Sequence, residues 1–313
     1  MHQSERRETV RAADLAIGKW SGLLGKWLDE RALLGKHTGC PMCGGKDRFR
    51  FDDKDGRGSW ICSHCGAGDG LHLLQNINGW TFQEAARYVE AAAGKIKAEP
   101  AKPVRTEEDI RASLRRTWEQ ATPIEQGDPV WTYLHARCSI THAPRGLRYH
   151  PALPYIHDDR SKTLHPAMLA QVIGHDGAAV SIHRTYLTLN GQKADIPNPK
   201  RLMTPTRKME NVAVRLSKPV DGWMGVAEGI ETALCAASRF QTRVWACISA
   251  GMLETFRPPE DIKMVTIFAD NDRSYTGQSA AYRLARYLVN EGIECFVEIP
   301  PIAGTDWADR VSK

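Results

Sequence analysis

The sequence predicts a multidomain α/β protein, and three observations carry that expectation. Two Cys-x-x-Cys pairs, Cys40/Cys43 and Cys62/Cys65, stand in the amino-terminal third. Residues 101–220 are basic, with 18 Lys and Arg against 11 Asp and Glu. From 221 to 313 apolar strand-like runs alternate with helical ones, and the balance turns acidic, 9 against 13. Alternation of this kind predicts a parallel sheet covered by helices on both faces. A basic segment beside an acidic one suits a polyanion followed by the first and metal ions held by the second. At 313 residues, 42% hydrophobic and 25% charged, the chain can bury a substantial core. No run approaches the roughly 18 apolar residues of a membrane span, and Met1–Val10 carries no apolar signal region, so the expected location is the cytoplasm, away from membranes.

Residues 9–34 mix apolar positions with Trp and Gly and predict short helices. The two Cys pairs that follow are separated by 18 residues, the spacing of a four-thiolate zinc ribbon. Between them Arg48-Phe49-Arg50-Phe51 alternates with period two, Asp55-Gly56 offers a turn, and Ser59-Trp60-Ile61 leads back, so a hairpin brings the pairs together. A module this short has little core, which gives Zn²⁺ a structural role. Four thiolates complete a tetrahedron, leaving His37 and His64 unneeded as ligands. Of the remaining cysteines, Cys235, Cys247 and Cys295 lie in apolar surroundings and are simplest as buried small hydrophobes.

Thr81-Phe-Gln-Glu84 spells a capping box opening a helix to Ala93, which closes a first domain, 1–93. Residues 94–106, rich in Lys and Pro, predict a linker. The basic α+β segment 107–220 opens with helices over 107–120 and 128–137. It then turns to strands at Ala167–Ile173 and Ala179–Leu189, with a turn at His175-Asp-Gly. Between 193 and 218 stand seven basic residues, Lys193, Lys200, Arg201, Arg207, Lys208, Arg215 and Lys218, against Asp195 and Glu210. Singly, each is best explained as a solvated side chain; together they suit a strand-binding track. Arg184, beside His183 in an otherwise apolar strand, is a more pointed candidate for phosphate.

In 221–313 the strand Trp223–Ala227 runs into Glu228-Gly229, and the strand around Val265–Phe268 ends in Asp270-Asn271-Asp272. Helices follow each, and a last strand, Ile293–Ile299, is followed by Gly304-Thr-Asp306-Trp307. Carboxylates at the carboxyl ends of parallel strands face the ligand crevice and suit Mg²⁺, which takes oxygen ligands and substrate phosphates. A surface turn is also spelled Asp-Asn-Asp, so the dipeptide alone leaves both explanations open.

Taken together, these carboxylates make 222–311 resemble the Toprim domain of DnaG-type primases, topoisomerases and some nucleases. The Cys40–Cys65 ribbon resembles the zinc-binding domain of primases of phages, plasmids and mobile elements. The resemblance implies that Glu228 is the acidic residue after the first Toprim strand, that Asp270 and Asp272 hold Mg²⁺ or Mn²⁺, and that Asp306 sits near the metals. It implies synthesis of RNA primers from ribonucleoside triphosphates on a single-stranded DNA template. The template would be held by the middle segment (His183, Arg184, Lys193, Lys200, Arg201) and read or stacked by Arg48, Arg50 and Trp60 of the ribbon. Glu231 receives no role. No Gly-x-x-x-x-Gly-Lys-Ser/Thr loop is present, Gly22-Leu-Leu-Gly25-Lys26-Trp27 lacking both spacing and hydroxyl, so the implied partner is a separate replicative helicase. A Toprim nuclease and a non-catalytic zinc-ribbon adaptor for single strands or a helicase remain as alternatives. A haloacid-dehalogenase phosphatase, which shares Asp-x-Asp, fails on the 39 residues left after Ser274.

Overall fold

A computed structural model describes residues 12–98, 105–157 and 159–310. It divides into two compact units meeting at Arg105/Thr106. Part of the expected linker, 99–104, lies outside the described residues.

In the first unit, β1 (Thr38–Cys40), β2 (Gly44–Phe51), β3 (Trp60–Cys62) and β4 (Gly66–Gly68) form an antiparallel sheet in that order. The period-two pattern of β2 buries Phe49 and Phe51. They join Trp60 of β3, Trp20, Leu23 and Leu24 of a short helix, and the inner faces of helices Gly70–Asn78 and Phe82–Ala93. The capping box is made: the Glu84 backbone N–H donates to Thr81 Oγ1 at 3.3 Å and the Thr81 N–H to Glu84 Oε2 at 2.7 Å. The β2–β3 connection is longer than a two-residue turn. It makes a 3₁₀ turn at Lys54–Gly56, with Asp53 and Asp55 in the left-handed region.

In the second unit, β5 (Leu147–Ile156), β6 (Lys162–Gly174), β7 (Ala179–Tyr186) and β8 (Lys200–Leu202) form an antiparallel meander, and β9 (Val212–Ala213) pairs with the far end of β6. Helix Glu107–Glu119 packs Leu114 with Leu153, Leu169 and Ile182 of this sheet. The second sheet is wholly parallel, in the order β11 (Val244–Ala246), β10 (Trp223–Ala227), β12 (Met264–Phe268), β13 (Glu294–Glu298). Strands β10, β11 and β12 are buried on both faces and alternate between them, whereas the edge strand β13 leaves Phe296 exposed. Ala227, Val244, Ala246 and Phe268 pack with helix Ile230–Phe240; Met224, Val226, Val265 and Ile267 pack with helix Thr276–Asn290. Val214 exchanges backbone hydrogen bonds with Ala246 at 2.7 and 3.1 Å, covering part of the edge of β11. One apolar cluster runs from Val130, Met168 and Leu187 through Ala227, Ile230 and Phe268, so the meander and the parallel sheet share a core. Among the described residues no helix is long and apolar enough to cross a membrane.

Candidate functional site

The four predicted thiolates come together. Cys40 and Cys43 lie at the β1–β2 turn, Cys62 and Cys65 at the β3–β4 turn, and their sulfurs all lie within 4.8 Å of one another. A tetrahedral ion with Zn–S bonds of about 2.3 Å separates its sulfurs by about 3.8 Å. Here Cys40 and Cys65 stand 3.8 Å apart and Cys43 and Cys62 3.7 Å apart, so the donor set fits Zn²⁺. Backbone N–H groups of Met42, His64 and Cys65 point at the sulfurs of Cys40 and Cys62 at 3.4 Å, stabilising thiolate. His37 Nδ1 donates to the Asp47 carbonyl at 2.9 Å and stays out of the set.

The stacking role expected of Trp60 needs correction. Trp60 is 2% exposed, stacks on Phe49, and donates Nε1–H to the Asp69 carbonyl at 3.0 Å. It belongs to the core and offers no face to a base. Arg50 pairs with Asp52 at 2.6 Å, while Arg48 leans towards the Cys43 sulfur.

At the other centre, strand order decides the geometry. Chain connections leave β10 for β11 on one side and pass to β12 on the other, so the carboxyl ends of β10 and β12 flank the crevice of the sheet. Glu228 follows β10 and Asp270 follows β12 by two residues. Ile248, a β-branched residue held at φ 73°, donates its N–H to the Glu228 carbonyl at 2.7 Å. Strain of that kind is characteristic of a site fixed by its surroundings. In the Asp-Asn-Asp loop the middle residue faces the other way: Asn271 donates to the Pro300 carbonyl at 2.6 Å, and its backbone binds Gly304 and Thr305. This stitches the loop to the segment that delivers Asp306. Asp272 Oδ2 accepts the Gly277 N–H at 2.8 Å at the start of helix Thr276–Asn290, where the helix dipole favours an anion. A Cβ at 277 would stand 3.1 Å from the Asp270 carbonyl oxygen and from Asp272 Oδ2, so any larger residue there would have to displace them slightly.

The carboxylates feel one another. Burial pushes Asp270 up to about 7, and Asp306, Glu228 and Asp272 add to the rise; the Thr232 hydroxyl, 3.5 Å away, offsets only part of it. Glu228 is raised by burial and then by Asp272, against the Ala250 N–H and the Lys200 ammonium. Asp306 is raised by burial and Asp309, against backbone N–H donors and Arg137. Like charges so placed are unfavourable without a cation between them. Yet among the described residues only the cysteines form a group of three or more ligating side chains drawn in to ion size.

Glu231 is the residue that sequence reasoning missed. It is 5% exposed and receives Lys200 Nζ at 2.8 Å and the Tyr133 hydroxyl at 2.5 Å. Burial alone would raise it, but the ammonium and the hydroxyl hold it down to about 2. Glu231 thereby ties β8 to the end of β10 and keeps Lys200 near Glu228. Its only sequence signal was a second acid one helical turn after Glu228.

Expectations for the basic track change accordingly. Lys200 is held by Glu231, and Arg201 lies 3.9 Å over the Tyr155 ring with its guanidinium on Tyr155 and the Ile156 carbonyl. Arg207 pairs with Asp176, Lys208 with Glu210, and Arg215 with the Gly174 carbonyl. Only Lys193 and Lys218 of the seven lack a hydrogen-bond or ion-pair partner among the described residues. Arg184 is half-buried, donating to Leu202 and Tyr186, and His183 is 7% exposed and pushed down to about 4 by burial and Lys200. Both serve the β7–β8 packing, which explains why polar residues stand in that strand and removes them as open phosphate contacts.

Comparison with known proteins agrees on the two ends of the chain. Residues 35–71 match the zinc-binding domain of primase-helicase, and 223–313 match the Toprim domain. Residues 108–216 match a domain of unknown function, DUF7146. Among solved structures, the zinc-binding and RNA polymerase domains of Aquifex aeolicus primase are similar at 14% identity and TM-score 0.46, over 97% of this chain and 81% of that one. The primase fragment of the bacteriophage T7 primase-helicase protein is similar at 14% and 0.34, over 87% and 92%. The RNA polymerase domain of Mycobacterium tuberculosis DnaG gives 15% and 0.40, over 66% and 78%. The chain thus carries a primase-type four-Cys zinc ribbon and a Toprim domain.

Proposed function

We propose that the chain is a DNA primase that makes short RNA primers on single-stranded DNA from ribonucleoside triphosphates, in replication of a plasmid, phage or mobile element. One observation carries this: Glu228, Asp270, Asp272 and Asp306 converge on the crevice of a Toprim sheet in a chain that also bears a primase-type ribbon. Carboxylate oxygens are the donors that Mg²⁺ or Mn²⁺ takes, and their mutual repulsion is what such an ion relieves. Held by Asp270 and Asp272, the metal would lower the pKa of the primer 3′-hydroxyl and offset the charge of the triphosphate. Glu228, raised by burial, is suited to receive the hydroxyl proton. Lys200, oriented by Glu231, presents an ammonium to the incoming phosphates, and Lys193 offers a second, open one. A replicative helicase would act as a separate partner.

A Toprim nuclease would use the same carboxylates to cut, and an adaptor would bind strands without chemistry. Incubation of the full chain with Mg²⁺, labelled ribonucleotides and a single-stranded template separates them. The proposal expects short labelled products from the parent and none from Asp270→Asn. Template cleavage without incorporation would establish the nuclease, and neither reaction would establish the adaptor.

A further inference from the structure

The amino-terminal end of the parallel sheet, opposite the carboxylates, holds a cavity of about 1050 Å³ whose lining is cationic. Arg145, Arg215, Lys218 and Arg243 line it, against the single acid Asp261. Arg243 directly precedes β11, and Val220 and Asp261, also in the lining, precede β10 and β12. These residues stand at the amino-terminal ends of the strands, whereas Glu228 follows the carboxyl end of β10.

Its construction is specific. Arg215 lies 4.9 Å over the Trp245 ring and anchors one nitrogen on the Gly174 carbonyl at 2.7 Å, while Trp245 Nε1 donates to the Ser217 carbonyl at 2.7 Å. A side chain at Gly146 would strike the Arg215 carbonyl oxygen at 2.8 Å, so glycine lets the Arg145 segment close against this wall. Two polar atoms in the wall, Arg215 Nε and Ser217 Oγ, are buried without a hydrogen-bond partner among the described residues. Buried donors left unmatched are costly, and are commonly matched by a ligand or water. Arg145, Lys218 and Arg243 are exposed and have no ion-pair partner among the described residues. Cations gathered around one cavity repel one another, so their grouping is explained by an anion that they share.

We infer that this cavity is a second phosphate-binding site, remote from the carboxylates, taking the phosphates of a free nucleotide or of a nucleic-acid strand. Arginine forks match phosphate oxygens two at a time, and the volume admits a nucleotide-sized ligand. None of Glu228, Asp270, Asp272 and Asp306 lines it, so the inference stands apart from primer synthesis.

The probe is inorganic triphosphate, titrated calorimetrically into the full chain without divalent metal. The parent is expected to bind. The double variant Lys218→Gln/Arg243→Gln should bind about tenfold more weakly or worse, which corresponds to about 1.4 kcal/mol. Arg145→Gln, changing an exposed side chain, should weaken binding without altering the melting temperature, and Lys162→Gln, which changes an exposed lysine outside the cavity lining, should leave binding unchanged. Competition then names the source: displacement by an unlabelled oligothymidylate points to a strand, and displacement by ATP alone to a free nucleotide. No binding by the parent, equal binding by all variants, or equal loss in Lys162→Gln would overturn the inference.

Discussion

The chain holds two candidate metal centres built on opposite principles. In the ribbon, the four sulfurs come from two tight turns of one small sheet and already stand at zinc spacing. At the carboxyl end of the parallel sheet, the oxygens come from β10, β12 and the segment after β13, and they repel one another. A centre whose ligands are neighbours in sequence is assembled by local hydrogen bonds and contributes folding energy. A centre whose ligands meet only through strand order is held by the core and keeps its charges apart until a cation arrives.

The largest effect should follow from breaking the local centre. Structural zinc contributes on the order of 10 kcal/mol or more to small modules, so Cys62→Ser should lose zinc and unfold the first unit. Trp20 and Trp60, each 2% exposed, report this as a red-shifted fluorescence, while zinc content is read by elemental analysis. Full zinc content and unchanged fluorescence would remove the contrast between the centres.

A smaller effect is expected where the core supports the second centre. Glu231→Ala strands Lys200 and Tyr133, and breaking a buried pair costs about 3–5 kcal/mol. The Lys200 side chain is 38% exposed, which reduces the expected loss to about 2 kcal/mol. In primer synthesis the same change should raise the KM for nucleotide more than it lowers kcat, because Lys200 loses its orientation. An unchanged KM would leave Glu231 a purely structural residue.

The smallest effect is one of pH. His183 is held neutral at about 4 by burial first and then by Lys200, whereas in the unfolded chain it takes up a proton near 6.5. The unfolded state therefore binds more protons between these values, and stability should fall as pH drops from about 6.5 towards 4. His150, lowered by burial, acts in the same direction. Urea midpoints at pH 7 and pH 5 should converge for His183→Leu relative to the parent. An undiminished difference would assign the acid sensitivity elsewhere.

The two centres were unequally legible in the sequence for the same physical reason. Cys-x-x-Cys spacing is itself the geometry of a knuckle, so four ligands could be named from residue types alone. Glu228, Asp270 and Asp272 could be placed at strand ends because β10 and β12 are short apolar runs that a carboxylate interrupts. Their company could not: that Lys200 turns inward to Glu231, and that Arg201 lies on Tyr155, depends on the register of β7 with β8. Strand β5 was hidden by Pro151 and Pro154, which an edge strand with a shift of register between His150 and Leu153 accommodates. Trp60 was misjudged because an aromatic in a basic hairpin has the same sequence signal whether it faces solvent or core.

The most direct test of the second centre is the melting temperature of the Toprim-containing unit with and without Mg²⁺, for the parent and for Asp270→Asn. Without metal the variant should be as stable as the parent or slightly more so, because one of the mutually repelling carboxylates is neutralised. At about a hundredfold excess over the dissociation constant, a metal bound only by the native state stabilises it by about 2.7 kcal/mol. The parent should show that rise and the variant should lose it. Equal stabilisation of both proteins by Mg²⁺, or a metal-free variant clearly less stable than the parent, would contradict the account.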